Sequence, residues 1–163
     1  MFSKALVDEA AALVARYRDA GLKIATAESC TGGLVAAAIT EAPGASAVLE
    51  RGFVTYSDAA KREMLGVEPG IIDDYGAVSA QTALAMAIGA LKASKADVAV
   101  AVTGVAGPDG GSLAKPVGLV HFACVERNGR VRALERRYGP LGRDEVRLNS
   151  VAEAFEMLAA AAR

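Results

Sequence analysis

The chain has 163 residues, a formal net charge of −1 and 53% hydrophobic residues. That length suits one domain over residues 1–163 with a sizeable core, and the near-neutral balance argues against nucleic acid or an anionic membrane as a partner. One histidine and two cysteines exclude a histidine-rich metal site and a disulfide framework, and no apolar run reaches the roughly 20 residues of a membrane span.

The N-terminal stretch mixes charges into its apolar positions and lacks the apolar block of a signal peptide, so a cytoplasmic location is expected. Residues 4–19 carry Leu6, Ala10, Leu13, Val14 and Tyr17 as a helical stripe, which Gly21 ends. A short strand over 23–28 leads into a small-residue helix over 32–40. A second strand is expected over 48–57 and a helix over 58–65, with Asp58 near its cap and Gly66 at its end. A long helix over 79–94 starts at Ser79. The almost wholly apolar strand 97–104 reads as covered on both faces. Residues 117–126 and 130–138, joined through Asn128-Gly129, read as a hairpin, and a helix over 143–162 closes the chain. Helices alternating with strands, plus one hairpin, predict an α/β fold: a three-layer α/β/α sandwich with a mixed, mostly parallel sheet.

In such sheets ligands bind at the carboxyl ends of the strands. This points to residues 28–33, 56–61 and 103–111, where polar and glycine residues collect. Ser29 ends a strand and is followed by Thr31, Gly32, Gly33 and a helix. Free N–H groups of the first helical turn and the helix dipole would favour negative charge there, as in an oxyanion hole. The plainer reading is that Ser29 or Thr31 caps the helix. Cys30 is a rival nucleophile, since helix N-termini favour thiolates, but buried packing is the ordinary role of such a cysteine. The one histidine, His121, lies mid-strand and reads as a packed or edge-strand residue, which speaks against a Ser-His-Asp triad.

A serine without histidine needs another base. Lys61 stands one helical turn past the second strand, and a lysine whose pKa is lowered by burial can serve. Tyr56 ends that strand and is placed to orient the lysine, donate a hydrogen bond or line a pocket. The plain alternatives are a solvated lysine and a core-edge aromatic. The segment 103–111 holds Thr103, Gly104, Gly107, Gly110 and Gly111, and its backbone N–H groups suit an anion nest. It matches neither the Walker nor the GxGxxG spacing, and its alternative is a plain connection. Arg143 and Arg147 share a helix face at the start of the last helix. They suit either an anion or ion pairs with neighbouring carboxylates.

The stretches "TAESCTGG", "ERGFVTYS" with Lys61 after it, "GAVS", "TGVAGPDGG", "KPVG" and "GRDEVR" together resemble the CinA C-terminal domain family, over about residues 5–160. Within it the chain is similar to the stand-alone nicotinamide-nucleotide amidohydrolases, without the N-terminal domain of full-length CinA proteins. The resemblance implies deamidation of nicotinamide mononucleotide to nicotinic acid mononucleotide and ammonia, in pyridine-nucleotide recycling. It implies a serine–lysine arrangement with no metal and no cofactor. Ser29 would be the nucleophile, Lys61 the base and Tyr56 its assistant. Thr31, Gly32, Gly33, Thr103, Gly104 and Gly107 would line the substrate site, and Arg143 and Arg147 would hold the phosphate. It also implies a small nucleotide substrate and a homo-oligomer. A related amidase with another substrate and a non-catalytic nucleotide-binding module stay open as alternatives.

Overall fold

A computed structural model describes residues 2–162. Its elements are α1 (Lys4–Ala20), β1 (Ile24–Glu28), α2 (Leu34–Thr40), β2 (Leu49–Val54), α3 (Asp58–Leu65), α4 (Pro69–Tyr75), α5 (Ala80–Lys92), β3 (Val98–Gly104), β4 (Leu119–Glu126), β5 (Val131–Arg137) and α6 (Arg143–Ala161). The strands form one sheet in the order β2-β1-β3-β4-β5. β1 runs parallel to both β2 and β3, and β4 runs against its neighbours β3 and β5. The sheet is therefore mixed, with β4 alone reversed, as expected.

Side chains on a strand alternate between its faces, and here the alternation sorts them by size. Ile24, Val98, Val100, Val102, Val120 and Phe122 face α1, α2 and α6 and build one core. Ala25, Ala27, Ala99, Ala101 and Ala123 face α3, α4 and α5 and build the other. An alanine floor lets α5 lie close to the sheet. The same side tolerates little bulk elsewhere: a Cβ on Gly89 of α5 would stand 2.0 Å from the carbonyl oxygen of Leu65 in α3.

Most boundaries fall within two residues of those expected, but β2 ends three residues early, at Val54. Ser3, Ser57 and Ser79 cap α1, α3 and α5, each hydroxyl accepting a backbone N–H. Helix α4 was not anticipated. It is seven residues long, begins at Pro69 and buries Ile72, so its apolar pattern is too short to show a period.

Candidate active site

The three polar loops meet at the carboxyl ends of β1, β2 and β3. Two ladder bonds continue past β1 and fix its exit: Ser29 N donates to Val102 O at 2.9 Å and Thr55 N to Glu28 O at 2.8 Å. The chain then turns sharply, with Gly32 N donating to Ser29 O at 3.0 Å. Gly32 and Gly33 take φ of 61° and 96°, the left-handed region that side chains avoid.

Neither Ser29 nor Thr31 caps α2. That role belongs to Glu28, whose place at a strand end carries no capping signal in the sequence. Its buried carboxylate accepts the amides of Gly33, Val35 and Ala36 at 3.1, 2.9 and 2.9 Å, and the Thr26 hydroxyl at 3.1 Å. The expected supply of free helix N–H groups for Ser29 is therefore taken up by Glu28. The Thr31 hydroxyl is buried without a hydrogen-bond partner among the described residues.

Lys61 is no solvated lysine, being 1% exposed. Its Nζ donates to Ser29 Oγ at 3.1 Å, to Thr55 O at 3.0 Å and to Tyr56 O at 3.3 Å. Burial lowers its pKa from 10.5, against the opposing pull of the Asp58 carboxylate and Cys30; Asp58 Oδ1 stands 4.0 Å from Nζ. Two carbonyls thus take two of the three amine hydrogens. In the neutral amine the remaining tetrahedral position, a lone pair, faces the serine hydroxyl.

Tyr56 meets the lysine through its backbone only. Its phenol, on a residue 59% exposed, accepts a hydrogen bond from Arg143 Nη2 at 3.0 Å, and Arg143 Nη1 donates to Gly107 O at 2.9 Å. Arg143 thereby bridges the loop after β2 and the loop after β3 at the mouth of the site. Arg147 goes elsewhere: its Nη2 donates to Thr31 O at 3.0 Å. Although four apart on α6, the two arginines serve different segments, and both donate to uncharged oxygens.

The glycine segment has a structural reason at each of three positions. Added Cβ atoms on Gly104 and Gly111 would stand 2.7 Å from Leu119 O and 2.9 Å from Val117 N, and one on Gly107 would stand 2.6 Å from Val117 Cγ1. The segment folds back on its own continuation into β4, so close approach accounts for these glycines without a ligand. The Thr103 hydroxyl donates to Ala77 O at 2.7 Å and ties down the loop before α5.

Cys30 is buried, and its thiol is pushed up to about 12 by that burial, so it is not a nucleophilic thiolate at neutral pH. His121 is buried on β4, an inner strand, with Nε2 at 3.8 Å from Glu135 Oε2. Burial lowers its pKa as well, which leaves it neutral. Among the described residues no group of three or more His, Cys, Asp or Glu is placed to hold a metal ion, and no helix is long and apolar enough to cross a membrane.

This arrangement of a buried lysine against a strand-end serine sits in a chain with close known relatives. Residues 7–162 match the family described as the CinA C-terminal domain. The nicotinamide-nucleotide amidohydrolase PncC of Enterobacter agglomerans is 48% identical over 150 residues, which cover 92% of this chain and 91% of that protein. A CinA-like protein of Akkermansia muciniphila is 57% identical over 121 residues, 74% of this chain, which spans only 29% of that longer protein. The crystal structure of the competence/damage inducible protein CihA from Agrobacterium tumefaciens superposes with a TM-score of 0.97 at 55% identity, covering 98% of this chain and 97% of the other. The chain belongs to the CinA C-terminal domain family.

Proposed function

We propose that the chain is a cytoplasmic nicotinamide-nucleotide amidohydrolase that converts nicotinamide mononucleotide to nicotinic acid mononucleotide and ammonia, in pyridine-nucleotide recycling. The observation that carries the catalytic part is the buried Lys61 amine held against the Ser29 hydroxyl. The substrate follows from the PncC relative, matched over nearly its whole length.

In this reading neutral Lys61 takes the Ser29 proton as Oγ bonds to the carboxamide carbon. The developing oxyanion is met by backbone amides of the turn after Ser29. The Lys61 ammonium then returns its proton to the amide nitrogen, the C–N bond breaks and ammonia leaves. Water, deprotonated by Lys61, attacks the ester and frees the acid and Ser29. No metal or cofactor enters any step. Arg143 holds the phosphate with the N–H groups left after its bonds to Tyr56 and Gly107. Gly32, Gly33, Thr103 and Gly104 shape the walls. A phosphate anchor remote from the amide fixes the position of the reacting carbon. The protein works as a homo-oligomer, which sedimentation equilibrium checks directly.

The deciding experiment is ammonia release from nicotinamide mononucleotide without added metal, for the wild type, Ser29→Ala and Lys61→Ala. Release by the wild type alone supports the substrate and the pairing together. A folded wild type that releases none points to another amide or to a binding module.

A further inference from the structure

We infer that Glu28 and Arg147 are positioning residues that together hold the far side of the nucleophile's turn and leave the amides of Cys30 and Thr31 to receive the oxyanion. The inference deepens the proposed reaction and rests on Ser29 being its nucleophile.

Thr31 C=O and Gly32 N–H belong to one planar peptide unit, so fixing either end orients both. The carbonyl end accepts from the Arg147 guanidinium at 3.0 Å and from Leu34 N at 3.2 Å, and the N–H end donates to Ser29 O at 3.0 Å. That peptide unit has no freedom to flip. Just beyond it, Glu28 accepts the amides of Gly33, Val35 and Ala36. A carboxylate is well matched to the positive end of a helix. It satisfies those donors and anchors the start of α2, and with it the far side of the turn. The amides of Cys30 and Thr31 lie between Ser29, whose own amide donates to Val102 O, and the peptide unit that joins Thr31 to Gly32; among the described residues neither has a backbone acceptor, and the weak acceptor near the Cys30 amide is its own thiol. An amide directly after a strand-end nucleophile is a recurrent oxyanion donor. Glu28 is buried with both carboxylate oxygens taken up by the turn and Thr26, and the Arg147 bond is to a backbone carbonyl, so in this reading both act through the turn.

Each residue has an informative replacement. In Glu28→Gln the amide nitrogen cannot accept, so the variant loses either the Gly33 and Val35 pair or the Ala36 and Thr26 pair. Arg147→Met removes the charged donor to Thr31 O, leaves the Leu34 amide on it, and keeps an apolar stem. Arg147→Lys retains a single point donor.

The test pairs steady-state kinetics on nicotinamide mononucleotide with a readout independent of that substrate. The second readout is the rate at which a fluorophosphonate phosphonylates Ser29, followed by intact mass. There the Oγ–P bond forms, fluoride leaves and the serine proton passes to Lys61, so labelling reports nucleophile and oxyanion donors alone. Glu28→Gln and Arg147→Met are expected to slow labelling and kcat alike, within the roughly 10²–10³-fold range of one lost oxyanion donor. KM should stay within about twofold, as for groups that do not touch substrate. Arg147→Lys should recover part of the loss. Thermal unfolding of each variant, above all the buried Glu28→Gln, separates a shifted turn from a lost fold. Wild-type labelling rates in folded Arg147→Met would overturn the clamp, as would a raised KM at unchanged kcat, the signature of a phosphate ligand. If the wild type labels at Ser29 yet releases no ammonia, the substrate reading fails and the clamp is judged on labelling alone. A wild type that does not label overturns the clamp and the nucleophile together.

Discussion

Lys61 Nζ lies 3.1 Å from Ser29 Oγ, and its other short contacts are the backbone carbonyls of Thr55 and Tyr56. The amine is thus aimed by main chain, which no side-chain substitution nearby removes. Ser29→Ala is expected to lower ammonia release by about 10³-fold or more, as loss of a nucleophile does. Its unfolding midpoint should stay near that of the wild type, because among the described residues the hydroxyl's one side-chain partner is the lysine. Cys30→Ala should keep activity within about tenfold, the thiol being protonated and buried. Kinetics and thermal melts on the two variants, one residue apart, check both statements.

The pH profile follows from the same geometry. Burial lowers the Lys61 pKa from 10.5, and only the neutral amine is a base. Therefore kcat/KM should rise with pH through the lowered value. Asp58 opposes that shift, so Asp58→Asn should move the rising limb to lower pH. A limb that moves upward would contradict this arrangement.

Stability carries the matching signature. The unfolded chain binds the Lys61 proton more tightly than the folded one, so the folded state is penalised below the lowered pKa. That penalty fades as pH climbs from there toward 10.5. Wild-type stability measured relative to Lys61→Met should therefore increase over that window. Urea melts of both proteins at several pH values test the sign.

Arg143 and Tyr56 form a pair that can be dissected by substrate. Arg143→Ala should raise KM for the phosphorylated substrate by about 10- to 100-fold, the usual effect of losing a charge-assisted contact. It should change KM little for the corresponding riboside without phosphate. Tyr56→Phe should have a smaller effect, about tenfold or less, since one hydrogen bond to a charged group is lost. Lys61 keeps the Tyr56 carbonyl in that variant, so kcat should hold.

Gly89→Ala probes the alanine-floored side of the fold. Helix propensity favours alanine by about 1 kcal/mol, but the new Cβ would stand 2.0 Å from Leu65 O, and backbone must move. A net loss of about 2 kcal/mol is expected from overpacking. At roughly 2–4 °C per kcal/mol for a domain of this size, calorimetry resolves it easily.

Ser29, Lys61, Tyr56 and Arg143 could be singled out from sequence because each sits beside a strong local signal: a strand end, a serine-capped helix, a closing helix. Glu28 could not. A glutamate at a strand end ordinarily faces water, and this one acts five to eight residues ahead of itself, across a turn whose shape the sequence does not show. The role of the Tyr56 phenol was likewise hidden, because its partner Arg143 is 87 residues away. The two arginines looked equivalent on one helix face; which carbonyl each meets depends on how α6 docks against the loops after β1 and β3. The glycine segment gave the opposite lesson. Its composition suggested a ligand, and close approach to Val117, Leu119 and Val120 gives Gly104, Gly107 and Gly111 a packing reason as well. The short helix α4 escaped because one buried residue, Ile72, makes no period.

The two cores divide the chemistry between them. Lys61 rides on α3, in the layer packed against Ala25, Ala27 and Ala99, whereas the turn after Ser29 runs into α2 and is held by Arg147 of α6, in the layer packed against Ile24, Val100 and Val102. Nucleophile and base are therefore mounted on independent foundations, with the sheet as the common reference. A methyl group gained or lost deep in either core can shift one foundation without the other and misalign the pair, far from any substrate. In this protein turnover is a gauge of how the two halves of the interior are registered, and selection on catalysis reaches residues that no substrate ever touches.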